Sequence, residues 1–216
     1  MKFFTSEYGA ISGVVRSVKG KSAKNAAVIQ PFLPLHLAWK GRTDLKSVTT
    51  IEEAGKASFL KRDHLLSAFY VNELMVRLLQ EGEPLLLLFG TYCEVLTQLE
   101  QGGEIEGILR KFEKHLLDQL GYGVSYSQDA RSGNKLEAQT CYEFVSNVGF
   151  IQASESGVGR PKTLIQGEAI LAMAVDDYSQ VSTRLIAKRV MRQSLASHLG
   201  DKPLYSRSLF LKKKKE

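Results

Sequence analysis

Cysteine is scarce in this 216-residue chain: Cys93 and Cys141 stand alone, each without a nearby cysteine. That spacing excludes a disulfide framework and a four-cysteine zinc site, and both thiols are expected to be buried and unreactive. Histidine is as sparse, and none of His36, His64, His115 or His198 has a second His or Cys at i+3 or i+4, so no metal-ligand set is expected. His115 with Asp118 and His198 with Asp201 read instead as helix-surface pairs. Long apolar runs are missing too: residues 85–89 and 169–175 fall far short of the ~20 residues that cross a bilayer, and residues 1–6 are too brief for a signal peptide. A cytoplasmic protein without membrane contact is the expectation. Nor is any nucleotide motif complete. Gly20-Lys-Ser22 ends like a P-loop, but Val15 occupies the place of its first glycine, and Gly157-Val-Gly159 lacks the flanking strand and helix start of a dinucleotide turn. With no convergent catalytic set, neither an enzyme nor a cofactor is expected.

What is present is a sizeable apolar content, 44% of residues, and a segregated charge. Between Gly9 and Thr50 seven basic residues (Arg16, Lys19, Lys21, Lys24, Lys40, Arg42, Lys46) face one acid, Asp44. From Val181 to Glu216 ten basic residues face two acids, whereas residues 51–180 hold eleven basic and nineteen acidic residues. Two basic ends around an acidic middle point to a polyanionic partner more than the net charge of +6 does.

The first fifty residues have no helical period and are rich in β-branched and aromatic residues over 10–18, 32–39 and 45–51, which predicts three strands. The polar, glycine-containing stretches 20–25 and 40–44 read as the loops between them, so the basic residues cluster on loops. Such a module suits small Greek-key barrels that bind single strands, where cations track phosphates and aromatics stack bases. From Gly55 the apolar period becomes helical. Helices are predicted over 57–80, 84–100 (Pro at its first turn), 104–120 (acids first, Gly121 after), 163–175 and 179–199, with a hairpin over 142–152 turning near Asn147 and loops over 127–138 and 153–162.

Several short motifs recur in a fixed order. Phe4-Thr-Ser-Glu-Tyr-Gly9 fits F-T-x-x-x-G, a strand end and turn, and Gln30-Pro-Phe32 fits a strand-opening Q-P-F, with Val15-Arg-Ser17 loosely in the place of A-K-G between them. Tyr70-Val-Asn-Glu-Leu74 fits Y-x-N-E-L, Leu120-Gly-Tyr-Gly123 fits a helix end L-G-Y-G, and Lys202-Pro-Leu-Tyr-Ser-Arg-Ser-Leu-Phe210 fits K-P-L-x-S-R-x-L-F. From about Phe3 to Phe210 the chain thus resembles the RecO family of bacterial recombination mediators.

The resemblance implies an α+β fold, with an OB-type small β-barrel over 1–55 and a helical domain over 56–216 that carries the hairpin near 142–152. In the family a further stretch precedes the Phe-Thr segment and forms the first barrel strand. This chain starts almost at that point, so the barrel is expected to lack that strand, through truncation, a misassigned start or an incomplete barrel. The Cys-rich zinc site of some members is absent, so no metal is expected. The implied partners are single- and double-stranded DNA, RecR and the acidic C-terminal tail of the single-strand-binding protein. The implied function is strand annealing and recombinase loading on DNA coated by that protein, in a nucleoid-associated setting. Candidate DNA contacts are the loop cations Arg16, Lys19, Lys21, Lys24, Lys40 and Arg42. A tail that carries acids and ends in apolar residues calls for a hydrophobic pocket beside Lys or Arg, and by position Leu109, Arg110, Leu120, Arg184 and Lys188 are the candidates. Leu109 and Leu120 equally suit a helix core, and the three cations a solvated surface. The run Lys212 to Lys215 is read as a solvated tail or a DNA contact. The alternative function is a protein adaptor with little DNA binding of its own.

Overall fold

The computed structural model describes residues 1–15, 28–153 and 164–213, with side chains as far as residue 210. The fold is α+β, a mixed β-region followed by helices. It packs into two compact units, one formed by Met1–Gly103 with Pro203–Glu216, the other by Glu104–Lys202.

In the first unit four strands, β1 (Lys2–Thr5), β2 (Gly9–Val15), β3 (Leu35–Lys40) and β4 (Leu45–Glu53), form one sheet in the order β1-β2-β4-β3. The pairs β1·β2 and β3·β4 are antiparallel and β2·β4 is parallel, with a bulge at Ala38/Trp39. No closed barrel is assigned among the described residues. The strand expected over 10–18 is described to Val15, and a strand expected from Phe32 starts at Leu35, because Phe32 itself turns the chain with φ +65°. The short β1 shows no period, since four residues give too few alternations, but it ends at Thr5 where the F-T-x-x-x-G motif implies a strand end and turn.

Helices α1 (Arg62–Leu78) and α2 (Leu86–Glu100) follow, with α6 (Tyr205–Lys213) packed on α1. Ala68, Val71, Leu74 and Met75 recur at helical spacing on the buried side of α1, beside Leu88, Val95 and Leu99 of α2. The predicted start of α1 at 57 is five residues early. The Ser58 N–H donates to the Phe32 carbonyl and the Phe59 N–H to Glu100 Oε1, so these donors are satisfied outside any helix. Helix α6 was not expected, since nine residues with three cations show no apolar stripe.

The motifs at both ends of the helical region meet here. Glu73 accepts hydrogen bonds from the Tyr205 N–H (2.7 Å), the Ser206 N–H (2.8 Å) and the Ser206 hydroxyl (2.6 Å), capping α6 from α1. Asn72 accepts from the Tyr92 hydroxyl at 2.9 Å, and the Arg207 guanidinium lies over the Tyr70 ring. Y-x-N-E-L and K-P-L-x-S-R are therefore two halves of one structural joint.

The second unit holds α3 (Ile105–Gln119), the hairpin β5 (Cys141–Val145) and β6 (Gly149–Gln152), the two-residue β7 (Ile165–Gln166), α4 (Gly167–Ala174) and α5 (Val181–Leu199). The hairpin turns through Asn147 at φ +61°, as expected. The helix predicted from 163 begins at Gly167, because Ile165 and Gln166 pair with β5 instead. Its core gathers Phe112 and Leu116, Phe150, Ile165, Ile170 and Met173, and Ala187, Val190, Met191 and Leu195. The segment 127–138, expected as a loop, is held by Asp129, which is 4% exposed. Its carboxylate accepts from the Arg131 and Ser132 N–H groups, the Ser132 hydroxyl and the Gln152 N–H. Burial pushes this acid up, but those donors outweigh it and hold its pKa at about 2. Cys93 is exposed and Cys141 half-buried, so neither is the buried thiol expected from composition.

Candidate functional site

The β1–β2 turn explains the F-T-x-x-x-G motif. The Thr5 hydroxyl donates to the Gly9 carbonyl at 2.9 Å and accepts from the Tyr8 N–H at 3.1 Å, fixing the turn from within. Gly9 has φ +64°, and a Cβ there would overlap the Glu83 carbonyl, so only glycine fits. The turn presents Tyr8, 53% exposed, whose ring meets Trp39 of β3 edge-to-face at 5.0 Å. Trp39 pairs with Val48, and Val48 with Val15, so on a flat sheet Trp39 would lie some six residues, roughly 20 Å, along the strands from Gly9. Ring contact between them requires a strongly curled sheet.

Lys40 follows Trp39, and Arg42 lies in the β3–β4 loop, which turns at Gly41 with φ +108°. Both side chains are exposed, and neither has a hydrogen bond or ion pair among the described residues. Lys46 of the same region is tied to the Thr43 carbonyl at 2.8 Å. The other expected DNA contacts, Arg16, Lys19, Lys21 and Lys24, lie outside the described residues, as do Lys214 and Lys215 and the side chains of Lys212 and Lys213.

The second candidate set sits on α3 and α5, which run side by side in the same direction: Arg184 faces Glu104 and Lys188 faces Glu106 at one end, and Tyr122 stacks on His198 at the other. Glu104 caps α3 by accepting from the N–H groups of Glu106 (3.0 Å) and Gly107 (2.7 Å), as acids at a helix start do. Glu106 is the focus of three cations: Lys188 hydrogen-bonds it, and Arg110 and Arg184 add attraction, which together hold its carboxyl below the ordinary range. Arg184 also donates to the carbonyls of Tyr178 (2.6 Å) and Ser179 (2.7 Å). Arg110 is buried and pairs with Glu113 at 2.6 Å. Arg110, Arg184 and Lys188 are thus brought together. Leu109 is a buried core residue, and Leu120, at the C-cap of α3, is eleven residues and about 16 Å further along the helix. Leu120 starts the L-G-Y-G helix end, where Gly121 takes φ +77° and the Tyr122 N–H returns to the Leu117 carbonyl.

On the outer side of α5, Leu185, Lys188, Arg189, Arg192 and Gln193 line a shallow open depression. Spacing of i, i+3, i+4, i+7 and i+8 puts these residues on one face, a helical period visible in the sequence. Deeper in the unit, Lys114 and His115 both meet Asp176, at 2.6 and 2.8 Å. Burial raises the Asp176 pKa, but hydrogen bonds from His115 and Lys114 outweigh it and lower it. His115 thus bonds Asp176 rather than the expected Asp118, and His198 stacks on Tyr122. Among the described residues no group of three or more His, Cys, Asp or Glu is placed to hold a metal, and no helix is long and apolar enough to cross a membrane.

Two family models cover nearly the whole chain: that of the recombination protein O N terminal matches residues 1–55, and that of the recombination protein O C terminal residues 61–208. A DNA repair protein RecO of Pseudomonas aeruginosa is 40% identical over 98% of this chain and 87% of its own length. That of Pseudomonas paraeruginosa is 39% identical with the same coverage. The RecO of Nitrosococcus oceani is 37% identical over 97% of this chain and 84% of its own. Carrying in order the motifs that build the Thr5 turn, the Glu73 joint and the end of α3, and matched along almost its full length, the chain belongs to the RecO family of DNA repair proteins.

Proposed function

We propose that this chain is a non-enzymatic recombination mediator that binds DNA strands through its N-terminal β-region, residues 1–55. It promotes annealing and recombinase loading on single strands coated by the single-strand-binding protein. The observation that carries this reading is the state of the cations: Lys40 and Arg42 are exposed and have no hydrogen bond or ion pair among the described residues. With Arg16, Lys19, Lys21 and Lys24, which stand in the same stretch of sequence against the one acid Asp44, they supply the phosphate-neutralising charge that sequence-independent binding needs. The helical part, residues 56–216, contributes protein contacts, with Arg110, Arg184 and Lys188 receiving the acidic tail of the single-strand-binding protein and RecR as a further partner. A tail carboxylate would take the place of Glu104 and Glu106 on Arg184 and Lys188. The protein works in the cytoplasm, on the nucleoid.

Oligonucleotide binding as a function of salt tests the reading. Replacing Lys19, Lys21 and Lys24 by Ala is expected to lower the slope of log K against log salt by about 2, from about 0.7 per single-strand phosphate contact, with tail-peptide affinity unchanged. A chain that binds no oligonucleotide even at low salt would be the adaptor of the alternative reading instead. Turnover in a strand-cleavage or ATPase assay would overturn the non-enzymatic assignment.

A further inference from the structure

We infer that Tyr8, braced edge-to-face by Trp39, is a stacking platform for an unpaired nucleobase, so that this end of the curled sheet reads single strands by their bases as well as by their phosphates. The inference rests on the proposal that the β-region binds DNA, and adds to it the residue and the part of the ligand that it contacts.

Three features of the pair separate it from ordinary surface aromatics. Tyr8 has no core to fill: it is 53% exposed and its hydroxyl has no partner among the described residues, so packing does not account for a ring at this place. Its backbone is nonetheless held on both sides, by the Thr5 hydroxyl bridging the Tyr8 N–H and the Gly9 carbonyl and by the left-handed Gly9. The side chain is presented from a rigid turn rather than a mobile one, which lowers the ordering cost of binding. The third feature is position. The contact with Trp39 at 5.0 Å places Tyr8 against the strand that continues directly into Lys40 and Arg42, two cations with no acid or carbonyl partner among the described residues.

An edge-to-face brace orients Tyr8 while leaving ring surface open, and stacking suits any base because every base has a π-face. Cations that neutralise phosphates beside a ring that stacks a base make the combination used for sequence-tolerant single-strand binding. A duplex keeps its bases stacked on one another and offers no free π-face, so the platform favours single over double strands.

Trp39 is the sole tryptophan of the chain, and its emission therefore reports on this one spot. The full-length protein is titrated at low salt with fluorescein-labelled dT15 for anisotropy, with unlabelled dT15 for Trp39 emission, and with a 15-unit abasic deoxyribose-phosphate strand. Trp39 emission is expected to change and to saturate together with the anisotropy. Tyr8→Ala is expected to weaken dT15 binding by about 5- to 140-fold, the range that base stacking on an aromatic ring covers, and to leave the abasic strand unaffected. Tyr8→Phe, which keeps the ring, restores dT15 binding. Equal weakening of both strands by Tyr8→Ala, or saturating anisotropy with unchanged Trp39 emission, overturns the platform and leaves phosphate binding intact. Absence of binding by either strand overturns the DNA-binding proposal and the platform with it.

Discussion

Lys40 and Arg42 in the β-region stand in solvent without partners among the described residues, whereas Arg110, Lys114, Arg184 and Lys188 in the second unit are each tied to an acid or a carbonyl. The two regions carry the same kinds of side chain and use them differently. In the second unit these four cations already hold partners within the fold: Arg110 and Glu113 are buried together, Lys114 bonds the Met173 carbonyl and Asp176, and Arg184 bonds the chain at the start of α5. In the β-region Lys40 and Arg42 are left available for a polyanion. Both regions contain cations; only their partners tell binding charge from structural charge.

Substitutions can break this contrast. Glu113→Ala leaves the Arg110 guanidinium buried without its acid and is expected to cost about 3–5 kcal/mol in urea unfolding. An equal loss from Lys40→Ala would erase the distinction between the regions. Next in size, Glu73→Ala removes the three hydrogen bonds that cap α6 and should cost about 1–3 kcal/mol, with early loss of α6 protection in hydrogen exchange. A smaller effect appears only in acid. The folded pKa of Asp129, about 2, lies below the ordinary carboxylate value, so its contribution is present above that ordinary value and lost as pH falls from about 4 towards 2. Asp129→Asn should flatten that part of the unfolding midpoint against pH. The smallest change in stability belongs to the double variant Lys40→Ala/Arg42→Ala, within about 0.5 kcal/mol of the parent by thermal melting.

The sequence made the α+β class, the hairpin turning at Asn147 and the ends of α3 and α5 legible, because they rest on local signals: apolar period, a left-handed Asn, acids before Ile105 and glycine at 121 and 200. It did not disclose β7 or α6, which are short and owe their conformation to distant partners: Cys141 with Tyr142, and Glu73. At the candidate sites, the cations could be enumerated but their pairing could not, since Glu106 and Lys188 are 82 residues apart. Tyr8 and Trp39 were missed for the same reason. Each is an unremarkable aromatic in sequence, and only the curl of the sheet brings them together.

The direct test of binding charge against structural charge is the salt dependence of oligonucleotide binding in two double variants. Lys40→Ala/Arg42→Ala is expected to lower the slope of log K against log salt by about 1.4, two single-strand phosphate contacts, and Arg184→Ala/Lys188→Ala to leave it unchanged. A slope lowered only in the Arg184/Lys188 variant would contradict the account.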